Sequence, residues 1–210
     1  MRTARTVHQL TAAATVGILL LLVAATATTL SPGGLADNGP TAPSIGARIE
    51  DFKLADFTGK EHSLSQYRSG KGVVLIFVSA RCPVSNAYNE RMIQLASEYQ
   101  SKGFQFLGIN ANKAEDPSEM ATHARQHGWN FPVLKDTGNA IADRLGASVT
   151  PEAYVIDANG ALRYHGRIDD SQDPAAIKSQ DLKTALDAIL SNQEIAKTEA
   201  KAFGCSIKRG

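Results

Sequence analysis

Cys82 and Cys205 are the only cysteines in the 210-residue chain. Cys82 directly follows the strand-type run GVVLIFVS, residues 72–79 with Ala80 and Arg81 between, and a helix-forming stretch opens at Pro83. A sulfur at the start of a helix meets first-turn N–H groups that lack intrahelical partners. Those groups and the helix dipole favour a thiolate over a thiol. Arg81 adds positive charge when its side chain turns toward the sulfur. Pro83 suits the first helical turn, where its missing N–H would have had no partner. Ser85, three residues on, is placed to donate its hydroxyl to the sulfur. A thiolate attacks disulfides and peroxides.

Cys205 lies in AFGCSIKRG, after the last helical pattern. Three roles suit it: a resolving thiol for an intermediate formed at Cys82, a structural staple to the same residue, or a free thiol that pairs with another molecule. A bond between positions so far apart removes on the order of 4–5 kcal/mol of unfolded-chain entropy, enough for a staple without redox duty. A helix start at Cys82 favours the reducible pair instead, because it makes Cys82 a good leaving group. Gly204 gives the tail backbone freedom to approach.

The elements that must position these residues follow from apolar periodicity. GVVLIFVS and FQFLGIN read as buried strands, and Met92, Ile93, Leu95, Ala96 and Tyr99 form a helical stripe between them over residues 83–99. DPSEMATHARQHG is a second helix, FPVLKD an extended piece and NAIADRLG a short helix. EAYVIDANGALRYHG is a hairpin around Asn159-Gly160, and residues 178–190 form a last amphipathic helix. Strands alternating with helices imply a parallel core pair with antiparallel edges, an α/β fold with a mixed central sheet flanked by helices.

The formal net charge is +1. No basic patch or long charge run is visible, which argues against nucleic acid as a partner. Arg2, Arg5 and His8 precede an uncharged, largely apolar block from Leu10 to Leu30, the pattern of a secretory signal or of a retained membrane anchor. Residues 1–36 are expected to export or tether the chain, 37–44 to link, 45–192 to form one domain and 193–210 to form a tail carrying Cys205. The folded part is then extracytoplasmic, periplasmic or secreted, where two cysteines are free to form a disulfide.

VLIFVSARCPVS followed by SVTPEAYVIDANG resembles the thioredoxin fold and, within it, the redoxin group that unites AhpC/TSA-type and TlpA-like proteins. The resemblance runs from about Ile45 to Leu190. It implies that Pro151, after Thr150, adopts the cis form and packs beside the reactive cysteine, shaping contact with substrate. It also implies thiol chemistry with no cofactor and no metal. One departure bears on mechanism: Ser85 stands where C-x-x-C proteins have a second cysteine. Peroxiredoxins use P-x-x-x-[TS]-x-x-C. Ser79 matches its third position before the cysteine, but Leu75 stands where proline is expected, and the arginine that polarises peroxide has no counterpart.

The leading expectation is an exported thiol–disulfide oxidoreductase. Cys82 is its nucleophile and Cys205 its resolving thiol, acting on protein thiols or disulfides with electrons from a thiol donor. A hydroperoxide-reducing peroxidase and a non-catalytic domain held by a structural bond are the alternatives. His123 and His127 read as a solvated helix face rather than metal ligands. Trp129 reads as a packing residue, and Asp169 and Asp170 as a solvated loop. Asn86 stands where a C-x-x-x-C copper chaperone would have its second cysteine.

Overall fold

The computed structural model describes residues 42–210. The export or anchor segment, residues 1–36, and most of the expected linker lie outside them. Strands β1 (Lys53–Asp56) and β2 (Glu61–Ser63) form a hairpin ahead of β3 (Gly72–Phe77). Helix α1 (Pro83–Asn86), helix α2 (Asn89–Gln100) and strand β4 (Phe104–Asn110) come after it. Next come α3 (Pro117–Gln126), β5 (Val133–Lys135), α4 (Ala140–Leu145) and the two-residue β6 (Val149–Thr150). The chain continues through β7 (Glu152–Asp157), β8 (Leu162–Gly166), α5 (Asp181–Leu190), β9 (Glu199–Ala200) and β10 (Cys205–Ser206).

The main sheet runs β2-β1-β5-β4-β3-β7-β8-β9. Strands β3, β4 and β5 are parallel, and β7 returns antiparallel against β3. The expected parallel pair is therefore three strands wide. Every residue of β3 is buried, as an unbroken Val, Leu, Ile and Phe run requires of a strand covered on both faces. Alternation then sorts its side chains. Val74 and Ile76 face α2 and α5, while Val73, Leu75 and Phe77 face α4 and the 3₁₀ turn at Leu64. Each such side chain contributes about 1.5–3 kcal/mol of burial. The hairpin of β7 and β8 forms where Asn159-Gly160 predicts one, but the Gly160 N–H bonds the Asp157 carbonyl, so Ala158 and Asn159 are the central turn residues and Gly160, at φ +85°, follows them.

Two elements differ from expectation. The single helix over 83–99 is broken: Tyr88 N–H bonds the Ser85 carbonyl, a tightened i−3 turn, and α2 starts afresh at Asn89. Buried Tyr88 is also drawn sideways, its hydroxyl bonding Asp169 at 2.7 Å and the Ser171 carbonyl at 2.9 Å.

The tail, expected outside the core, is built into it. Strand β9 adds in parallel to β8 at the sheet edge, and β10 pairs antiparallel with β6. Ile207 is buried in the same apolar cluster as Leu75 and Phe77. Alanine at Ile207 is expected to cost about 2 kcal/mol or more in urea unfolding. A change within about 0.5 kcal/mol, typical of a surface position, would show that the tail does not contribute to the core.

Candidate functional site

Strand β3 delivers Ser79 and Cys82 to the sheet's end, and α1 begins at once. Cys82 is the N-cap of α1, and its sulfur accepts the Ser85 N–H at 3.3 Å. Pro83 occupies the first helical position. Across the sulfur stands the Thr150-Pro151 peptide, in the cis form, with the Thr150 carbonyl 3.3 Å from the thiol. The register of β10 on β6 sets Cys205 opposite Thr150 and Ser206 opposite Val149. Cys205 thereby stands beside Cys82, and the two residues line one cavity. Both cysteines are thiols, Cys82 only 2 % exposed and Cys205 half-buried.

Gly204 makes this approach feasible. It has φ +151°, and a Cβ there would lie 1.9 Å from the Thr150 carbonyl oxygen. The freedom foreseen for this glycine is a close backbone contact rather than looseness.

Burial pushes the Cys82 thiol up, but hydrogen bonds outweigh it and hold the pKa below the ordinary thiol value. The adjoining Cys205 and the Ser85 N–H supply the lowering. The Thr150 hydroxyl is buried without a hydrogen-bond partner, and it is the Thr150 carbonyl that meets the thiol. Cys205 moves the opposite way, raised by burial and by the neighbouring Cys82 sulfur. The two thiols thus divide into a better thiolate and a better proton holder.

Three expectations need correction. The Ser85 hydroxyl does not serve the sulfur: it accepts the Ser79 N–H at 3.2 Å, and the backbone N–H of Ser85 makes the contact instead. Arg81 is turned away into a bidentate pair with Glu119, at 2.6 and 2.7 Å, so its charge is matched by a carboxylate rather than spent on Cys82. A four-residue α1 also has little macrodipole, so the work falls to individual N–H groups.

Ser79 supports the loop from beneath. Its hydroxyl donates to Glu115 at 2.5 Å and accepts the N–H groups of Cys82 at 3.0 Å and Arg81 at 3.2 Å. Glu115, 3 % exposed, also takes the Ala80 N–H and the Asn110 amide. Neither Glu115 nor Glu152 was signalled by the sequence. Glu152 accepts the N–H groups of Ser148 and Val149 and the His165 ring, fixing the approach to Thr150. A cavity of about 380 Å³ opens between Cys82, Cys205, Asn112, Glu115 and Lys208.

Trp129 packs against the core and His127 is exposed, as expected, but two residues depart from their expected surroundings. His123 is buried, its ring tilted 4.3 Å from that of His127 and edge-on to Trp129, so it is a packing residue and not a solvated one. Burial lowers its pKa. Asp169 is likewise buried, held by Tyr88 and Arg91, while Asp170 caps the Lys178 and Ser179 N–H groups. Among the described residues no cluster of three or more His, Cys, Asp or Glu is arranged to hold a metal.

A mixed α/β sheet with a buried cysteine at a strand-to-helix junction, facing a cis-proline peptide, defines a thioredoxin-like redox fold. The AhpC/TSA family pattern matches residues 45–165, and the chain belongs to that family. It is 32% identical over 146 residues to the thiol-disulfide oxidoreductase ResA of Geobacillus thermodenitrificans, spanning 70% of this chain and 81% of that one. Among solved structures it resembles a hypothetical protein of Sinorhizobium meliloti, with a TM-score of 0.74 and 30% identity over 81% of this chain and 97% of that one. A secreted Mycobacterium tuberculosis disulfide oxidoreductase homologous to E. coli DsbE matches at TM-score 0.52 and 25% identity, covering 65% of this chain and 95% of that one. Peroxidoxin BcpB of the same organism matches at 0.58 and 25%, covering 70% and 96%.

Alkylation tests the electrostatics. The thiolate is the reacting form, so a lowered pKa moves the rise in Cys82 alkylation rate to lower pH. In Gly204→Ala the added methyl must push β10 off Thr150 and carry Cys205 away from the sulfur, and the rise should move back toward about 8.5, the value of an unperturbed thiol. An unshifted profile would mean that Cys205 does not govern the sulfur.

Proposed function

We propose that this protein is a thiol–disulfide oxidoreductase working through Cys82 and Cys205, and that it acts outside the cytoplasm. The observation that carries the reading is the placement of Cys205 on β10 opposite Thr150, where it lines one cavity with Cys82. A relay needs that proximity. Similarity to ResA and to the DsbE homologue points the same way. The extracytoplasmic setting rests on the basic and apolar N-terminal segment, which lies outside the described residues, and on the secreted relative.

The Cys82 thiolate attacks one sulfur of a partner disulfide. A Cys82–partner mixed disulfide forms and the partner's other sulfur leaves as thiolate. Cys205 then attacks the Cys82 sulfur, expelling the remaining partner thiolate, which takes up the Cys205 proton. The Cys82–Cys205 disulfide results, and two electrons have passed to the partner. Ser85, through its N–H, holds the attacking sulfur ionised, and the Thr150 carbonyl faces it across the site. Pro151 shapes the wall against which the partner lies, and Ser79 and Pro83 set the turn. Arg81 has no part in this reading, because Glu119 holds it.

Hydroperoxide reduction is the rival. Its Ser79 motif position is present, but the one hydroxyl proton of Ser79 is committed to buried Glu115.

With Cys205→Ser, a disulfide substrate should accumulate as a mixed disulfide on Cys82, visible by mass spectrometry. The wild type should release product and close its own bond. Equal accumulation in both proteins would eliminate the resolving role. Dilute hydrogen peroxide should leave the Cys82 thiol largely unreacted while disulfides consume it; rapid stoichiometric loss to peroxide would favour the peroxidase.

A further inference from the structure

The two sulfurs of the pair are unequally accessible. Cys82 is 2 % exposed, closed in by α1, the Thr150-Pro151 peptide and the tail strand, whereas Cys205 is half-buried and Ser206 beside it is exposed. The tail that covers Cys82 is fastened on both sides. Ile207 N–H bonds the Ser148 carbonyl at 2.9 Å, and Lys208 N–H bonds the Asn112 side chain at 2.8 Å. Lys113 N–H bonds the Lys208 carbonyl, and Arg209 reaches Asp143 and the Ala147 carbonyl. A disulfide joining Cys82 to Cys205 would add a covalent link to this seat, leaving Cys205 as the outward sulfur.

We propose that the electron donor which regenerates the enzyme enters at Cys205 and not at Cys82. This rests on the reading of the pair as a reducible disulfide. A donor thiolate attacks the Cys205 sulfur, the Cys82–Cys205 bond breaks, and Cys82 departs as thiolate into the N–H groups that hold it. The donor is left joined to Cys205 by a new disulfide. A second donor thiolate then attacks the donor sulfur, forming the donor disulfide and releasing Cys205, which takes up a proton. The balance is two donor thiols oxidised and one protein disulfide reduced.

The direction of cleavage agrees with the chemistry of exchange, in which the sulfur that leaves is the one better stabilised as an anion. Cys82 has that role on geometric grounds alone, since the Ser85 N–H points at it. The two half-reactions therefore use different sulfurs: substrate disulfide is attacked by Cys82, and donor thiol attacks Cys205. Tail movement is needed for a bulky substrate to reach Cys82, but a donor can meet Cys205 with the tail in place.

The test uses the full chain oxidised with diamide, with the Cys82–Cys205 bond first verified by peptide mapping. Glutathione in excess is added, samples are quenched in acid at short times, free thiols are alkylated at low pH, and the glutathionylated peptide is identified. Glutathione should be found on Cys205 in about ten-fold or greater excess over Cys82, with Cys82 recovered alkylated. Equal division, an excess on Cys82, or consumption of the disulfide with glutathione on neither cysteine overturns the entry point while leaving the redox pair standing. Failure of the Cys82–Cys205 bond to form at all overturns both.

Discussion

A two-residue strand pairing governs the site. The register that sets Cys205 opposite Thr150 also brings the tail cysteine to the cavity that Cys82 lines. Moving β10 by one residue would turn the Cys205 side chain to the opposite face and put Ser206 or Gly204 in its place. Such short strands specify register weakly by themselves. Here it is fixed from outside: Ile207 is packed into the core, Gly204 permits close contact with the Thr150 carbonyl, and the bonds of Lys208 and Arg209 fasten the end of the chain.

A buried polar layer holds the other side of the site. Glu115 gathers the Ser79 hydroxyl, the Ala80 N–H and the Asn110 amide, and Lys135 closes on the Asn110 side chain and the Asn112 and Glu115 carbonyls. Leaving one such charge unpaired in the interior costs about 3–5 kcal/mol, so the layer resists rearrangement. Ser79 transmits that rigidity directly, because its oxygen receives the Cys82 N–H. Glu152 does the same for the Ser148–Val149 backbone. Two carboxylates thus fix the two walls between which the sulfurs meet, although neither touches a sulfur.

Much of this was legible in the residues. Short apolar runs gave β3 and β4, Asn159-Gly160 gave the hairpin, and a cysteine before a proline gave the strand-to-helix junction. Local chemistry suffices for such features. What escaped were long-range pairings. The tail's composition, polar and broken by Gly204, carries no periodicity, so nothing in it announced that two of its residues would add to β6 and one to the core. Arg81 illustrates the same limit: its nearness to Cys82 in sequence suggested a partner, whereas Glu119 on α3, two helices and a strand away, captured it. Asp169 and His123 looked solvated because their partners, Tyr88, Arg91, Asn89 and Trp129, come from other elements.

The reduction potential of the Cys82–Cys205 couple tests the redox pair most directly. Equilibration in dithiothreitol buffers, then counting of alkylated thiols, should give a single two-electron transition above about −300 mV, the level below which structural disulfides typically lie. No such transition should survive in Cys205→Ser. A bond resistant to reduction well below that level, or two cysteines that never join, would contradict a working relay.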